Sequence, residues 1–385
     1  HRDLHSFPTR RSSDLPLALR FPLFDPDRFL VRTLPLVRPL FGWFGVVLWL
    51  LVVGLGAVLA ATHWTDLTED IADRVLAPEN LLLLWLVYPV VKGLHELGHA
   101  YAVRTWGGEV HEIGIMLLVF SPVPYVDASA AWGFTDKRKR MLVGAAGIAV
   151  ELFLGSLALF VWLMVEPGAV RAVAYNVMLI SGVSTLLFNG NPLLRFDGYY
   201  VLADAIEMPN LGARANQYLG YLFQRHLFGA RDAESPAHST GERVWSFVYG
   251  IAAFIYRIFI SFVIITFIAS KFFVIGVLLA IWAVATQVVM PVGKSLSFLV
   301  RSPNLRRQRG RALSTSVLLA LALLSLLFLA PFPNWTRAEG VLWVPEEAQV
   351  RAGADGFIVD LLVPGGSTVR AGVPLIQAEE PFLAT

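Results

Sequence analysis

Two short stretches of this chain carry residue types that could do chemistry together. His95, Glu96 and His99 sit within an apolar run as His-Glu-Leu-Gly-His, and Asn189-Gly190-Asn191-Pro192 is followed by Asp197-Gly198 about a hundred residues later. Histidines four apart share one face of a helix, so both imidazoles can reach the same metal ion. A catalytic zinc needs three protein ligands and an open position for water, and Asp197 is the best third ligand on offer. Glu96, between the histidines, is placed to act as base. The chemistry this predicts is hydrolysis of a peptide bond by zinc-activated water.

The elements that must position these residues are membrane spans. Apolar runs close to the ~20-residue spanning length occur at about 40–61, 81–103, 141–165, 172–190, 246–268, 272–291 and 313–331. Arg20, Arg28, Arg32 and Arg38 precede the first run, whereas the following loop carries Asp66, Glu69, Asp70, Asp73 and Glu79. Lys137–Arg140 precedes the third run, Arg214, Arg225, Arg231 and Arg243 the fifth, and the arginines of 301–311 the seventh. The excess of positive charge on alternate loops predicts a cytoplasmic N-terminus and an extracytoplasmic tail. In that topology the second and fourth runs point the same way, so His95, His99 and Asp197 all fall toward the cytoplasmic side. Arg257 lies inside the fifth run, read either as snorkelling or paired or as a sign that this span starts near Ile258. Lys271 is the break between the fifth and sixth runs.

Composition agrees with a polytopic α-helical membrane protein: 56% of residues are hydrophobic, 16% are charged and 26 are phenylalanine, with a mean hydropathy of +0.61. The absence of cysteine excludes disulfides and thiolate metal sites. Nothing indicates nucleic-acid binding, since the arginines of 301–311 sit beside a span and read as a topology determinant in contact with anionic lipid. Residues 1–15 read as the translation of one frame of a sequencing adapter, so native sequence is expected from about Pro16. The domain reading is this segment, a cytoplasmic stretch at 16–39, a membrane metallopeptidase region at 40–331 with its core at 81–200, and a tail at 332–385.

The two metal stretches resemble those of the site-2 protease type of intramembrane zinc metallopeptidases (M50-type). That family has a His-Glu-x-x-His helix and a later Asn-x-x-Pro-x-x-x-x-Asp-Gly segment, which Asn189, Pro192, Asp197 and Gly198 match. The resemblance implies that His95, His99 and Asp197 bind Zn2+, that Glu96 is the general base, and that Asn189 lies near the scissile carbonyl as an oxyanion donor. Pro192 would interrupt the helix and Gly198 permit the turn that brings Asp197 to the metal. The chain departs from the family at the helix after the metal helix, where a Gly-Pro-x-x-Asn type segment is replaced by Gly144-Ala-Ala-Gly147-Ile-Ala-Val-Glu151. Glu151 has no obvious partner in sequence; pairing with a polar group of the bundle and a substrate or proton-handling role both stay open.

Between the metal helix and the third span, 114–120 and 121–127 are β-like runs broken by proline, expected to form a hairpin or re-entrant element at the membrane edge. Such an element could hold an unwound substrate by β-addition or act as a lid over the metal. Glu109, His111 and Glu112 read either as gating groups or as a solvated loop. In the tail, short strands are expected at 340–344, 349–352, 356–363, 368–370 and 374–378, separated by Gly/Pro turns. Their spacing resembles half of a biotinyl/lipoyl-like module of periplasmic adaptor, or membrane-fusion, proteins, without an acceptor lysine, and so implies a C-terminally truncated all-β barrel-sandwich-hybrid half-domain. The whole resembles bacterial peptide zinc metalloproteases in which a site-2-type core is fused to such an adaptor. The implied function is a zinc metalloendopeptidase of the bacterial inner membrane. It would act on a peptide or transmembrane substrate, with an export or secretion partner at the tail. The competing reading is a non-catalytic component of a peptide export or adaptor assembly with a structural or vestigial metal site.

Overall fold

Twenty uncharged residues in a bilayer can satisfy their backbone only through their own hydrogen bonds, so apolar runs of this length become helices. The computed structural model describes residues 18–118, 121–229, 233–301, 309–329, 351 and 356–379. Residues 1–15, the strand expected at 340–344, nearly all of that at 349–352 and most of the 301–311 arginine cluster lie outside these. Among the described residues seven helices are long and apolar enough to cross a membrane.

In chain order the longer helices are α1 (Asp27–Val37), α2 (Trp43–Thr62), α3 (Pro78–Thr105), α4 (Lys137–Met164), α5 (Ala169–Asn189), α6 (Asp197–Ala205), α7 (Leu211–Leu222), α8 (Thr240–Ala269), α9 (Phe273–Val300) and α10 (Arg309–Leu329). The spans are α2 to α5 and α8 to α10. Each expected run is recovered, most ends within four residues; α8 starts six residues earlier than its run and α9 continues nine residues further. Pro78 sits in the first turn of α3, where its missing N–H costs nothing. Asp136 caps α4 by accepting the Arg138 N–H at 2.9 Å, and Ser239 caps α8 through Glu242 N–H at 3.1 Å. α8 runs unbroken through Arg257, which is exposed, so a start near Ile258 is not what forms.

The chain divides into two units, residues 1–322 and 323–385. In the first, α4 is the interior helix: 39% of its apolar window is buried, against 11% for α2 and 6% for α9. It packs against α2, α3, α5 and α6. Close approach depends on small residues: a side chain at Gly98 would stand 2.9 Å from Val150, and one at Gly56 would stand 2.5 Å from Ser156. Trp49 of α2 donates its indole N–H to the Ala149 carbonyl at 2.8 Å. The outer helices keep large apolar side chains exposed, Phe262 and Trp282 among them, a surface suited to lipid and not to water.

The expected hairpin forms from β2 (Ile113–Leu118) and β3 (Ser121–Val126), paired from Ile113↔Val126 to Leu118↔Ser121. The 16–39 stretch, expected as a segment leading into the first span, holds regular structure. Its β1 (Ala18–Phe24) adds antiparallel to β2, giving the sheet order β1-β2-β3. The alternation Leu19, Phe21, Leu23 against Arg20 and Pro22 is a period-two signal for this strand. α1 then packs on α3, with Leu30 fully buried and Thr33 bonded to Tyr101 at 2.7 Å.

Helix direction alternates through the unit. Lys271, between α8 and α9, pairs with Asp73, between α2 and α3, at 2.8 Å, so these loops share one end of the bundle. Lys137 and Arg140 at the start of α4 pair with Glu207 and Asp204 at 2.7 and 2.8 Å, beside the end of α6.

In the second unit β4 (Phe357–Leu361) pairs antiparallel with β5 (Ile376–Glu379). The connection turns at Gly366 and Gly372, whose φ angles of 86° and 90° suit glycine. Thr368–Arg370, expected as a strand, lies between those turns and is not one.

Candidate metal centre

α3 carries His95 and His99 one turn apart, 3% and 8% exposed, facing α4. Opposite them α4 presents Gly147: a Cβ there would lie 2.5 Å from the Nε2 of each histidine, so only a glycine lets the helices close over the imidazoles. Asp197 arrives from a third direction. α5 changes from α- to π-helical winding over Ile180–Asn189. The chain then turns through Gly190–Phe196, with the Asn191 side chain accepting the Leu193 N–H at 2.9 Å. Asp197 opens α6, where the positive end of the helix dipole favours a carboxylate. Gly198 makes the turn possible: a Cβ there would meet the Gly190 carbonyl and stand 3.1 Å from the Asn189 oxygen.

The three groups expected as ligands come together. His95 Nε2 is 3.0 Å from His99 Nε2 and 3.0 Å from Asp197 Oδ2, and His99 Nε2 is 3.5 Å from the same oxygen. The far side of each ring faces an acceptor. His99 Nδ1 is 2.7 Å from the Val143 carbonyl, an acceptor, so Nδ1 carries the hydrogen and donates it. His95 Nδ1 lies 3.0 Å from Glu151 Oε1, again an acceptor. Both Nε2 lone pairs therefore point at each other and at a carboxylate oxygen, an arrangement that only a shared proton or a cation relieves. Tetrahedral zinc with bonds of about 2.0–2.1 Å separates its donors by about 3.3 Å, close to the separations here. The donor set fits zinc. With its side chain 22% exposed beside buried histidines, Asp197 marks the side open to water.

Glu96 is placed between the histidines, and its Oε2 accepts the Val126 N–H of β3 at 3.1 Å. That N–H is therefore not used in the sheet, and the same-parity positions 124 and 122 are prolines. The outer edge of β3 thus offers a single donor, at Glu96, which leaves little for β-addition there. Asn189 ends the π-helical stretch, with its backbone carbonyl against Gly198. His111 is away from this centre, 63% exposed between Asp25 at 3.1 Å and Glu109 at 3.2 Å, and Glu112 accepts from Tyr125 at 2.6 Å, so these form a solvated cluster.

Four contributors to the centre are not singled out by the sequence: Gly147, Val126, Lys92 and Thr185. Glu151, without an obvious partner in sequence, is fully buried and contacts Lys92 Nζ at 2.5 Å as well as Thr185 Oγ1. Opposite charges in two apolar spans are the available signal for the Lys92 pair. Comparison with protein-family models, curated proteins and solved structures found no match.

Proposed function

We propose that this chain is a membrane zinc metalloendopeptidase that hydrolyses a peptide bond of a membrane or exported peptide substrate. One observation carries the reading: the convergence of His95, His99 and Asp197 lone pairs at 3.0–3.5 Å beside a carboxylate that binds none of them. Zinc held there would polarise the scissile carbonyl and acidify a water. Glu96 is the group that would accept a proton from the attacking water as the C–O bond forms and return it to the amide nitrogen as the C–N bond breaks. The Val126 N–H holds Glu96 Oε2, leaving Oε1 for the transfer. Asn189 is the oxyanion donor of this reading.

The placement proposed is the bacterial inner membrane, with the N-terminus and the metal end of the bundle cytoplasmic and the tail unit extracytoplasmic. The arginine-rich alternate loops and the loop pairings at the two ends of the bundle support it. The kinship proposed is to site-2 proteases, with a tail that belongs to an adaptor-like module recruiting substrate or an export partner. The test is cleavage, in proteoliposomes, of single-span reporter peptides with fluorophores at both ends. The wild type is expected to cut and Glu96→Gln to bind zinc without cutting. A wild type that holds zinc yet cuts no reporter in a broad set supports the non-catalytic export-component reading instead.

A further inference from the structure

Glu151 does more than neutralise a lysine. It lies four residues after Gly147, on the same face of α4, and is 0% exposed. Its Oε1 is 2.5 Å from Lys92 Nζ and 3.0 Å from His95 Nδ1, and its Oε2 accepts from Thr185 Oγ1. The carboxylate therefore joins α3, α4 and α5 at the back of one imidazole. Lys92 stands one turn before His95 on α3, with its ammonium 5.9 Å from the Tyr88 ring centroid. The two histidines are thus supported differently: His99 donates to a neutral backbone carbonyl, whereas His95 Nδ1 lies 3.0 Å from a carboxylate already held by two other groups. Apolar residues of similar volume serve packing at least as well as a buried ion pair, so packing alone gives no reason for the charges.

We infer that Glu151 is a positioning residue for the metal centre: it holds His95 with hydrogen on Nδ1 and the Nε2 lone pair aimed at Asp197, while Lys92 and Thr185 hold Glu151. The inference rests on the zinc reading above. A carboxylate behind a ligating imidazole raises its basicity, and loss of such a partner typically weakens metal binding by about 10- to 100-fold.

The experiment uses the full chain in detergent, with zinc affinity measured by chelator competition and the visible absorption of the Co2+-loaded protein as a second readout. Glu151→Gln keeps an acceptor and removes the charge. Lys92→Met/Glu151→Gln also removes the ammonium that the single variant strands. Thr185→Val removes the third support. The expected result is about 10- to 100-fold weaker zinc binding and a shifted Co2+ spectrum in both Glu151 variants, with thermal stability recovered in the double variant but affinity not, and a smaller loss in Thr185→Val. Wild-type affinity and an unshifted spectrum in the double variant would overturn the positioning role while leaving the zinc reading intact. A wild type that binds no zinc, or an Asp197→Ala variant that binds it as tightly as wild type, sinks the zinc reading and this inference with it.

Discussion

Substitution of Gly147 by alanine tests the account where the geometry is most demanding. The added Cβ would lie 2.5 Å from Nε2 of both His95 and His99, whereas ordinary contact begins at 3.4 Å, so the imidazoles or the helices must part by about 0.9 Å. Overpacking of a close-packed contact costs about 1–3 kcal/mol. Retreat of both ligands at once moves that cost onto metal binding, and at about 1.4 kcal/mol per decade it corresponds to roughly 5- to 150-fold weaker zinc affinity. The assay is zinc competition against a fluorescent chelator, with Gly54→Ala as the control. Gly54 lies in a span where an added Cβ would meet nothing within 4 Å, so that variant should bind zinc as the wild type does. A folded Gly147→Ala protein with wild-type zinc affinity would refute the close approach of α4 to the histidines.

Arg140→Gln should loosen α6 and with it Asp197, because Arg140 bonds Asp204 and the Phe134 carbonyl, each at 2.8 Å. A loss of about 1–3 kcal/mol in thermal stability, with weaker zinc retention, is the expected outcome. Val126→Pro removes the N–H that holds Glu96 and, by the value of a hydrogen bond to a charged group, should lower kcat roughly tenfold or more while zinc per chain stays constant; unchanged kcat in steady-state assays would contradict it. His111 should titrate above its ordinary 6.5, through its bonds to Asp25 and Glu109. A raised folded-state pKa means its contribution is complete below about pH 6.5 and fades as pH rises through the higher value. NMR titration of the ring should show this, and Asp25→Asn should lower the midpoint.

The spans are legible because a bilayer imposes one requirement on a whole run of residues, and hydropathy reads it directly. The proposed metal ligands are legible because His95, Glu96 and His99 lie within one helical turn and Asp197 follows a recognisable turn segment. What supports them is not, since each supporting contact joins residues distant in sequence. Glu151 touches Lys92, 59 residues earlier, and His99 leans on Val143, 44 residues later. Gly147 reads in sequence as one small residue among several, and only the packing of α4 on α3 singles it out. β1 is masked by the arginines and prolines around it, which suggest a charged lead-in, although its alternation is visible. The reverse holds at Thr368–Arg370, where a β-branched pair suggests a strand and the flanking Gly366 and Gly372 turns prevent one.

The central claim is that His95, His99 and Asp197 form a zinc site in which Glu96 takes no part as a ligand. Elemental analysis of the purified chain decides it, with Asp197→Ala and Glu96→Gln measured beside the wild type. About one zinc per chain in the wild type and in Glu96→Gln, with a clear loss in Asp197→Ala, is the predicted result. A well-folded wild type without zinc, or zinc lost from Glu96→Gln as completely as from Asp197→Ala, would contradict the account.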